Sequence, residues 1–312
     1  MFAPVVLFVY NRKDLFLKTY NALKLCVDAK QTDLFIFSDG AKNKESELLV
    51  EDVRAELNRI SNDCEFHSIT IICSPVNKGL AKSIIEGVTQ VITQYGRAIV
   101  LEDDCLPSPY LIKYMNSALD YYYEDKRIGS VAGYAEIIEI PKDYQSDIYL
   151  ARRSCSWGWA TWLDRWEKVD WKLQNVDKIF KNPRMIHRLN ANGSDRLMRL
   201  YRQSKTDIQS WSICFGAYHV LNDLYVIYPR YSYIFSTGDD GLGVHTKKGE
   251  VTRQYDLSLA ISNPKMEPIQ YDARIQRRLK KRASTGFLSE MKRFFASVAI
   301  VLVSHFNKGK SE

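Results

Sequence analysis

Arg97-Ala98-Ile99-Val100-Leu101-Glu102-Asp103-Asp104 is the stretch from which the rest of the chain is best read. An apolar run of this length, with Ile and Val in it, predicts a short buried strand. It leads directly into three consecutive carboxylates, and crowded like charges repel. A divalent cation relieves that repulsion. Mg²⁺ is commonly held by one or two carboxylates completed by substrate phosphates and water, and Mn²⁺ accepts similar ligands. The same triplet also fits an acidic turn capping the next helix, because Pro107 and Pro109 follow.

Outward from this stretch, the first 130 residues alternate two hydrophobic periods. Strand patterns fall at 5–10, 34–37, 68–73 and 98–101, and amphipathic helix patterns at 14–25, 45–60 and 80–95. That alternation predicts βαβ units, an α/β fold with a mostly parallel sheet flanked by helices. Ligands of such sheets sit at the carboxyl ends of the strands. Asn11-Arg12, Ser38-Asp39-Gly40, Asn77-Lys78-Gly79 and Glu102-Asp103-Asp104 all fall at those ends. Each of the middle two is an ordinary turn when taken alone; their shared edge makes them candidates for one site.

A helix at 109–125 and a strand at 128–132 are expected next, after which the alternation stops. Cys155-Ser156-Trp157-Gly158-Trp159-Ala160-Thr161-Trp162, with Arg165 and Trp166, is the densest aromatic segment. Indole rings of this kind fill cores or stack on sugars. Residues 184–222 read as two helices, Val226-Ile227-Tyr228-Pro229 as a short strand, and 236–246 as a Gly-rich loop.

Composition narrows the classes. The 312 residues are 46% hydrophobic and 26% charged, a globular balance. The net charge of +7 is concentrated: residues 274–312 hold ten Lys or Arg against two Glu, so the rest is close to neutral. A broad nucleic-acid surface on the main domain is therefore not expected. The six Cys (26, 64, 73, 105, 155 and 214) form no C-x-x-C pair and no zinc spacing. With no secretory pattern ahead of Val5, the expectation is a reduced, cytoplasmic setting.

The Leu101–Asp104 motif with its Cys105-Leu106-Pro107-Ser108-Pro109 sequel, and the Ser156-Trp157-Gly158-Trp159 block, resemble GT-A-type nucleotide-sugar glycosyltransferases. The likeness is to bacterial family-2-like enzymes with a Glu-Asp-Asp motif similar to that of the N-acetylglucosaminyltransferase I group. It covers roughly residues 4–250. It implies a GT-A, Rossmann-like domain over 1–270, with a nucleotide-binding half (1–130) and an acceptor-binding half (131–270). It also implies a hexosyl- or N-acetylhexosaminyltransferase, inverting, using a nucleotide sugar (a UDP-sugar favoured) and Mn²⁺ or Mg²⁺. Asn11, Arg12, Asp39, Asn77, Gly79, Lys82, Glu102 and Asp103 are then donor contacts. Asp104 is the metal ligand, with His245 as a second. Asp207 is the base, with Asp240 or Asp239 as alternatives, although Asp207 also suits a helix N-cap. Trp157, Gly158, Trp159 and Trp162 form a wall against the sugars.

A basic cluster runs from Arg274 to Arg282, and the apolar run 294–306 that follows is too short and interrupted for a membrane span of about 20 residues. Residues 271–312 are expected to form a basic amphipathic tail on an anionic membrane surface, placing the protein peripherally on the inner face of the cell membrane. A terminal helix packed on the domain is the other reading of the tail. Membrane attachment suits a lipid-linked or glycan acceptor in polysaccharide or lipopolysaccharide synthesis. The competing classes are a sugar nucleotidyltransferase, disfavoured by the absence of glycine in Asn11-Arg12-Lys13-Asp14, and a non-enzymatic peripheral membrane protein.

Overall fold

The computed structural model describes residues 2–191, 193–206, 210–237, 256–283 and 287–306. The first half follows its periodicity: β1 (Val5–Val9), α1 (Lys13–Leu23), β2 (Asp33–Ser38), α2 (Lys44–Ile60), β3 (Ser68–Cys73), α3 (Leu80–Tyr95) and β4 (Arg97–Glu102). β1 is buried along its whole length, as its unbroken apolar run requires of a central strand. Local chemistry sets the helix ends. Asn43 and Ser46 form a reciprocal capping box at the start of α2. Gly96 closes α3 with φ +76°, where a side chain would be strained.

Next come β5 (Cys105–Pro107), α4 (Leu111–Tyr121), β6 (Ile128–Ala132), β7 (Ile148–Ala151), β8 (Trp159–Trp162), and the short helices α5 (Leu163–Trp166), α6 (Val176–Phe180) and α7 (Pro183–Leu189). The described chain ends with α8 (Arg196–Lys205), α9 (Trp211–Leu221), β9 (Tyr225–Pro229), β10 (Ile234–Ser236), α10 (Ala273–Ala283) and α11 (Phe287–Phe306). Eight strands make one sheet in the order β3-β2-β1-β4-β8-β6-β9-β7, and β5 pairs with β10 apart from it. β1, β2, β3, β4, β6 and β9 run one way, β7 and β8 the other. The fold is thus the mixed α/β architecture expected, a mostly parallel sheet flanked by helices.

Several expectations change. Residues 184–222 hold three helices, because breaks near Asn190 and Thr206 divide the span. The acid triplet does not cap a helix: β5 intervenes, and α4 begins at Leu111 after Tyr110. Trp159 and Trp162, expected to face a sugar, are each 1% exposed. Trp159 stacks on Trp166 (5.5 Å between centroids) and Trp211 (4.8 Å) beneath α9. Trp162 donates Nε1–H to the Leu119 carbonyl at 3.0 Å. Their burial makes them core rather than wall. Gly158 is likewise demanded by packing, since a Cβ there would lie 2.7 Å from Ile234 Cγ1.

The C-terminal segment does not behave as one tail. α10 seats Ile275 and Leu279 among Tyr149, Ala151 and Tyr228, and Gln276 donates to the Leu150 carbonyl. α11 packs through Ile300 into the core around α6, α8 and α9. Among the described residues, no helix is long and apolar enough to cross a membrane.

Gly158→Ala should lower stability by about 2–4 kcal/mol, from its positive φ of +61° and the clash with Ile234. Urea unfolding measures this. A loss below about 0.5 kcal/mol would show that the β5–β10 pair gives way at no cost.

Candidate active site

The register Phe8↔Glu102 and Val9↔Ser38 brings three strand ends side by side, so Tyr10–Arg12, Asp39–Gly40 and Asp103–Asp104 leave the sheet together. Arg12 occupies the residue before α1 but does not cap it. Its guanidinium turns instead onto the triplet: Nη2 donates to Asp103 Oδ1 and, at 3.0 Å, to Asp104 Oδ2. Nη1 is buried and has no hydrogen-bond partner. The motif's backbone is held from two sides. Thr19 Oγ1 on α1 donates to the Asp103 carbonyl at 2.8 Å. Thr237, just after β10, donates its amide (2.8 Å) and its hydroxyl (3.1 Å) to the Asp104 carbonyl.

Three carboxyl groups crowd around one guanidinium. Burial, reinforced by Asp104 and Asp103, pushes the Glu102 carboxyl up to about 8. Burial also pushes Asp103 up to about 7, against the pull of Arg12. The triplet fits a hard divalent cation in charge and ligand type. It does not supply three ligands at one point: Glu102 ends β4, while Asp103 and Asp104 lie in the turn after it and share Arg12 Nη2. Asp103 is 5% exposed at its side chain and committed to Arg12, whereas Asp104 is 17% exposed. Asp104 is therefore the more accessible of the two carboxylates. The described residues whose ligand atoms do cluster within 4.8 Å are Asp63, Cys64 and Glu65 on the surface. There Asp63 already accepts from the Tyr20 hydroxyl at 2.6 Å.

The other expected donor contacts gather at the same edge and mostly bind one another. Asp39 Oδ1 accepts the Gly40 and Lys78 amides (2.9 and 2.8 Å), while Oδ2 accepts the Gly79 amide at 2.9 Å and Asn77 Nδ2 at 3.2 Å. Asn77 also donates to the Gly40 carbonyl at 2.7 Å. This latch fixes the loop between β3 and α3. Gly79 has φ +76° and open space where a Cβ would stand. Lys82 is exposed and pairs with Glu86 at 3.7 Å. Asn11 lies in the bend before α1, partly exposed. Asp207, Asp239, Asp240 and His245 lie outside the described residues.

Across the edge, Trp159 pairs with Val100, and Trp157 lies two residues ahead of it, just outside β8. Trp157 meets Tyr134 edge to face at 4.9 Å. Both line a cavity of about 450 Å³ with Glu136, Arg153, Ser156 and Asp195. Thr19, Thr237 and Arg153 were not picked out from the sequence. Only Arg152-Arg153-Ser154, directly before the aromatic block, offered a signal there.

No protein-family profile matches the chain, and no curated protein sequence matches it. Among solved structures, it is similar to S. aureus TarS 1-349, with TM-score 0.46 and 11% identity over 77% of this chain and 61% of that one. It is also similar to the mannosyltransferase PcManGT from Pyrobaculum calidifontis in complex with GDP-Man and Mn²⁺ (TM-score 0.38, 10% identity, 70% of each chain). A UDP-glucose pyrophosphorylase complexed with UDP-glucose is similar as well (TM-score 0.39, 11% identity, 74% of this chain and 91% of that one). The chain thus spans about three fifths of the length of TarS 1-349.

The raised carboxyls give a pH dependence with a definite sign. Between about pH 4.5 and 8 the folded, metal-free protein binds more protons at Glu102 than the unfolded chain does. Stability from this group is therefore lost as pH rises through that window. In EDTA, Tm of the wild type should fall more from pH 5 to pH 8 than Tm of Glu102→Gln; parallel curves would remove Glu102 from this role.

Proposed function

We propose that the chain is a metal-dependent glycosyltransferase. It moves a sugar, hexosyl or N-acetylhexosaminyl, from a nucleotide donor (a UDP-sugar favoured) to a hydroxyl of a glycan or lipid-linked acceptor, with inversion. The observation that carries this is the part-buried Arg12 bridging Asp103 and Asp104 at the carboxyl end of β4, beside the ends of β1 and β2. A phosphate-loop nucleotidyltransferase needs a glycine-rich turn after its first strand; here that position holds Asn11, and Arg12 is engaged with the acids.

Asp104 holds the cation, Mn²⁺ or Mg²⁺, with His245 as a candidate second ligand. When bound, the ion supplies Lewis-acid stabilisation of the leaving diphosphate. Asp103, fixed by Arg12 and Thr19, keeps Asp104 in place and borders the ribose. Asp39 holds the 77–79 loop and with it the N-terminus of α3, which is turned to the donor phosphates. Trp157 is the aromatic wall for the sugars. Asp207 takes the proton from the acceptor hydroxyl as it attacks the anomeric carbon. Asp240, with Asp239, is the alternative base.

Calorimetric titration with UDP and Mn²⁺ tests this reading. Wild type should bind in a metal-dependent way and Asp104→Asn should lose at least tenfold in affinity; equal binding by the two proteins sinks the assignment. Asp207→Asn should leave donor binding intact and abolish transfer.

The membrane proposal moves from a whole tail to one helix face. Leu288, Met291, Phe294, Phe295 and Val298 are exposed on α11, Phe294 at 65% and Phe295 at 61%. Exposed Arg277, Lys280, Lys281 and Arg282 on α10 and Lys292 on α11 precede or flank them. This combination fits a peripheral contact with an anionic bilayer on the inner face of the cell membrane, and with it a role in polysaccharide or lipopolysaccharide synthesis. Replacing Phe294 and Phe295 by Ser should reduce sedimentation with phosphatidylglycerol vesicles several-fold. Unchanged sedimentation would exclude this face.

A further inference from the structure

The segment between β7 and β8 lines two adjoining hollows through Arg153, Ser154 and Ser156. The smaller, about 100 Å³, also has Arg196, Arg199 and Ser212 on its walls. The larger, about 450 Å³, extends past Trp157 to Arg282 and Arg293. Arg196 opens α8 and is 9% exposed. Its Nη1 donates to the carbonyls of Leu189 (3.1 Å) and Arg152 (3.3 Å). Among the described residues it makes no ion pair. Asp195 is the acid beside it, and that carboxylate is shared by Arg153 (3.4 Å) and Arg199 (3.7 Å).

A buried guanidinium without a carboxylate is expensive. Burial and the neighbouring Arg153 push the Arg196 pKa down to about 9. The fold nevertheless makes room for it: a Cβ on Gly216 of α9 would lie 2.6 Å from Arg196 Nη2. Arg196 and Arg199 bring two guanidinium groups to a small hollow rimmed by three serine hydroxyls, with Arg153 on the same wall. That donor set matches the several oxygens and the negative charge of a phosphate, which guanidinium forks bind bidentately.

We propose that this groove is the acceptor site and that it binds a phosphate group carried by the acceptor glycan, held by Arg153, Arg196 and Arg199 with Trp157 against the sugar beside it. This rests on the transferase reading, because it takes the groove as the acceptor side of that site. None of these arginines belongs to the β1–β4 half where the nucleotide is placed, so the two bindings separate experimentally.

Tripolyphosphate is the probe, titrated calorimetrically into the full chain in EDTA. Wild type should bind it, and Arg196→Gln and Arg199→Gln should each weaken binding tenfold or more. UDP–Mn²⁺ binding, measured separately, should stay within twofold. Arg199, with a side chain 42% exposed, keeps the test decisive should Arg196→Gln fail to fold. No binding by wild type, or undiminished binding by Arg199→Gln, overturns the proposal. So does a parallel loss of UDP–Mn²⁺ affinity, which would assign the groove to the donor. In a further arm, Arg199→Gln should sediment with phosphatidylglycerol vesicles like wild type; a matching loss would make the phosphate a lipid headgroup's and overturn the acceptor assignment. Should wild type bind tripolyphosphate but not UDP–Mn²⁺, the transferase reading fails, and with it the word acceptor, while the anion site stands.

Discussion

The guanidinium of Arg12 among buried carboxylates is the interaction on which the arrangement of this molecule turns. Three acids at a strand end repel one another and pay heavily for leaving water. One guanidinium bridging two of them makes the edge tolerable without neutralising it. The crowding that raises these carboxyls is what a bound cation would relieve, and the bridge leaves the acids unequal. Asp103 is enclosed and Asp104 reachable. Because Arg12 stands at the entry to α1 and Thr19 on that helix grips the same motif, the placement of α1 and the geometry of the acids are set together.

The opposite side of the edge is built differently. Its floor is an aromatic stack of Trp159, Trp166 and Trp211 with Phe215, sealed beneath α9. Above that floor the chain between β7 and β8 carries Arg153 and Trp157, the groups that meet solvent. One side of the cleft is thus acidic, made of strand ends. The other is cationic and aromatic, made of a connecting segment. That polarity suits two substrates of different character approaching one point.

How much of this could be read in the sequence varied with how local the signal is. The β1–β4 half was legible because each of its elements declares its period within about ten residues and its turn residues fall at fixed ends. The convergence of Arg12, Asp39 and Asp103 followed from topology alone. What escaped was who binds whom. Nothing in Asp39-Gly40 announces that its carboxylate will be filled by the amides of a loop nearly forty residues on. The Trp block misled for a similar reason: Ser156-Trp157-Gly158-Trp159 looks uniform, yet β8 begins only at Trp159, Gly158 before it turns the backbone with φ +61°, and the cover of α9 buries Trp159 while Trp157 stays accessible. Arg196 carried no signal, since an arginine in an amphipathic helix is ordinarily a solvated one. The glycine that accommodates it is twenty residues away, on another helix.

The seating of α10 against β7 and β9 has a consequence for synthesis. β7 is the outermost strand on its side of the sheet, and the aromatic face of Tyr149 and Tyr228 is closed by Ile275 and Leu279, more than a hundred residues after β7 begins. A ribosome extending the chain at several residues per second leaves that face and its edge bare for many seconds after the strands themselves have been made. During that interval the nascent domain presents the kind of surface that chaperones recognise and that neighbouring chains aggregate through. The last described helices are therefore late arrivals that close the fold as well as decorate it.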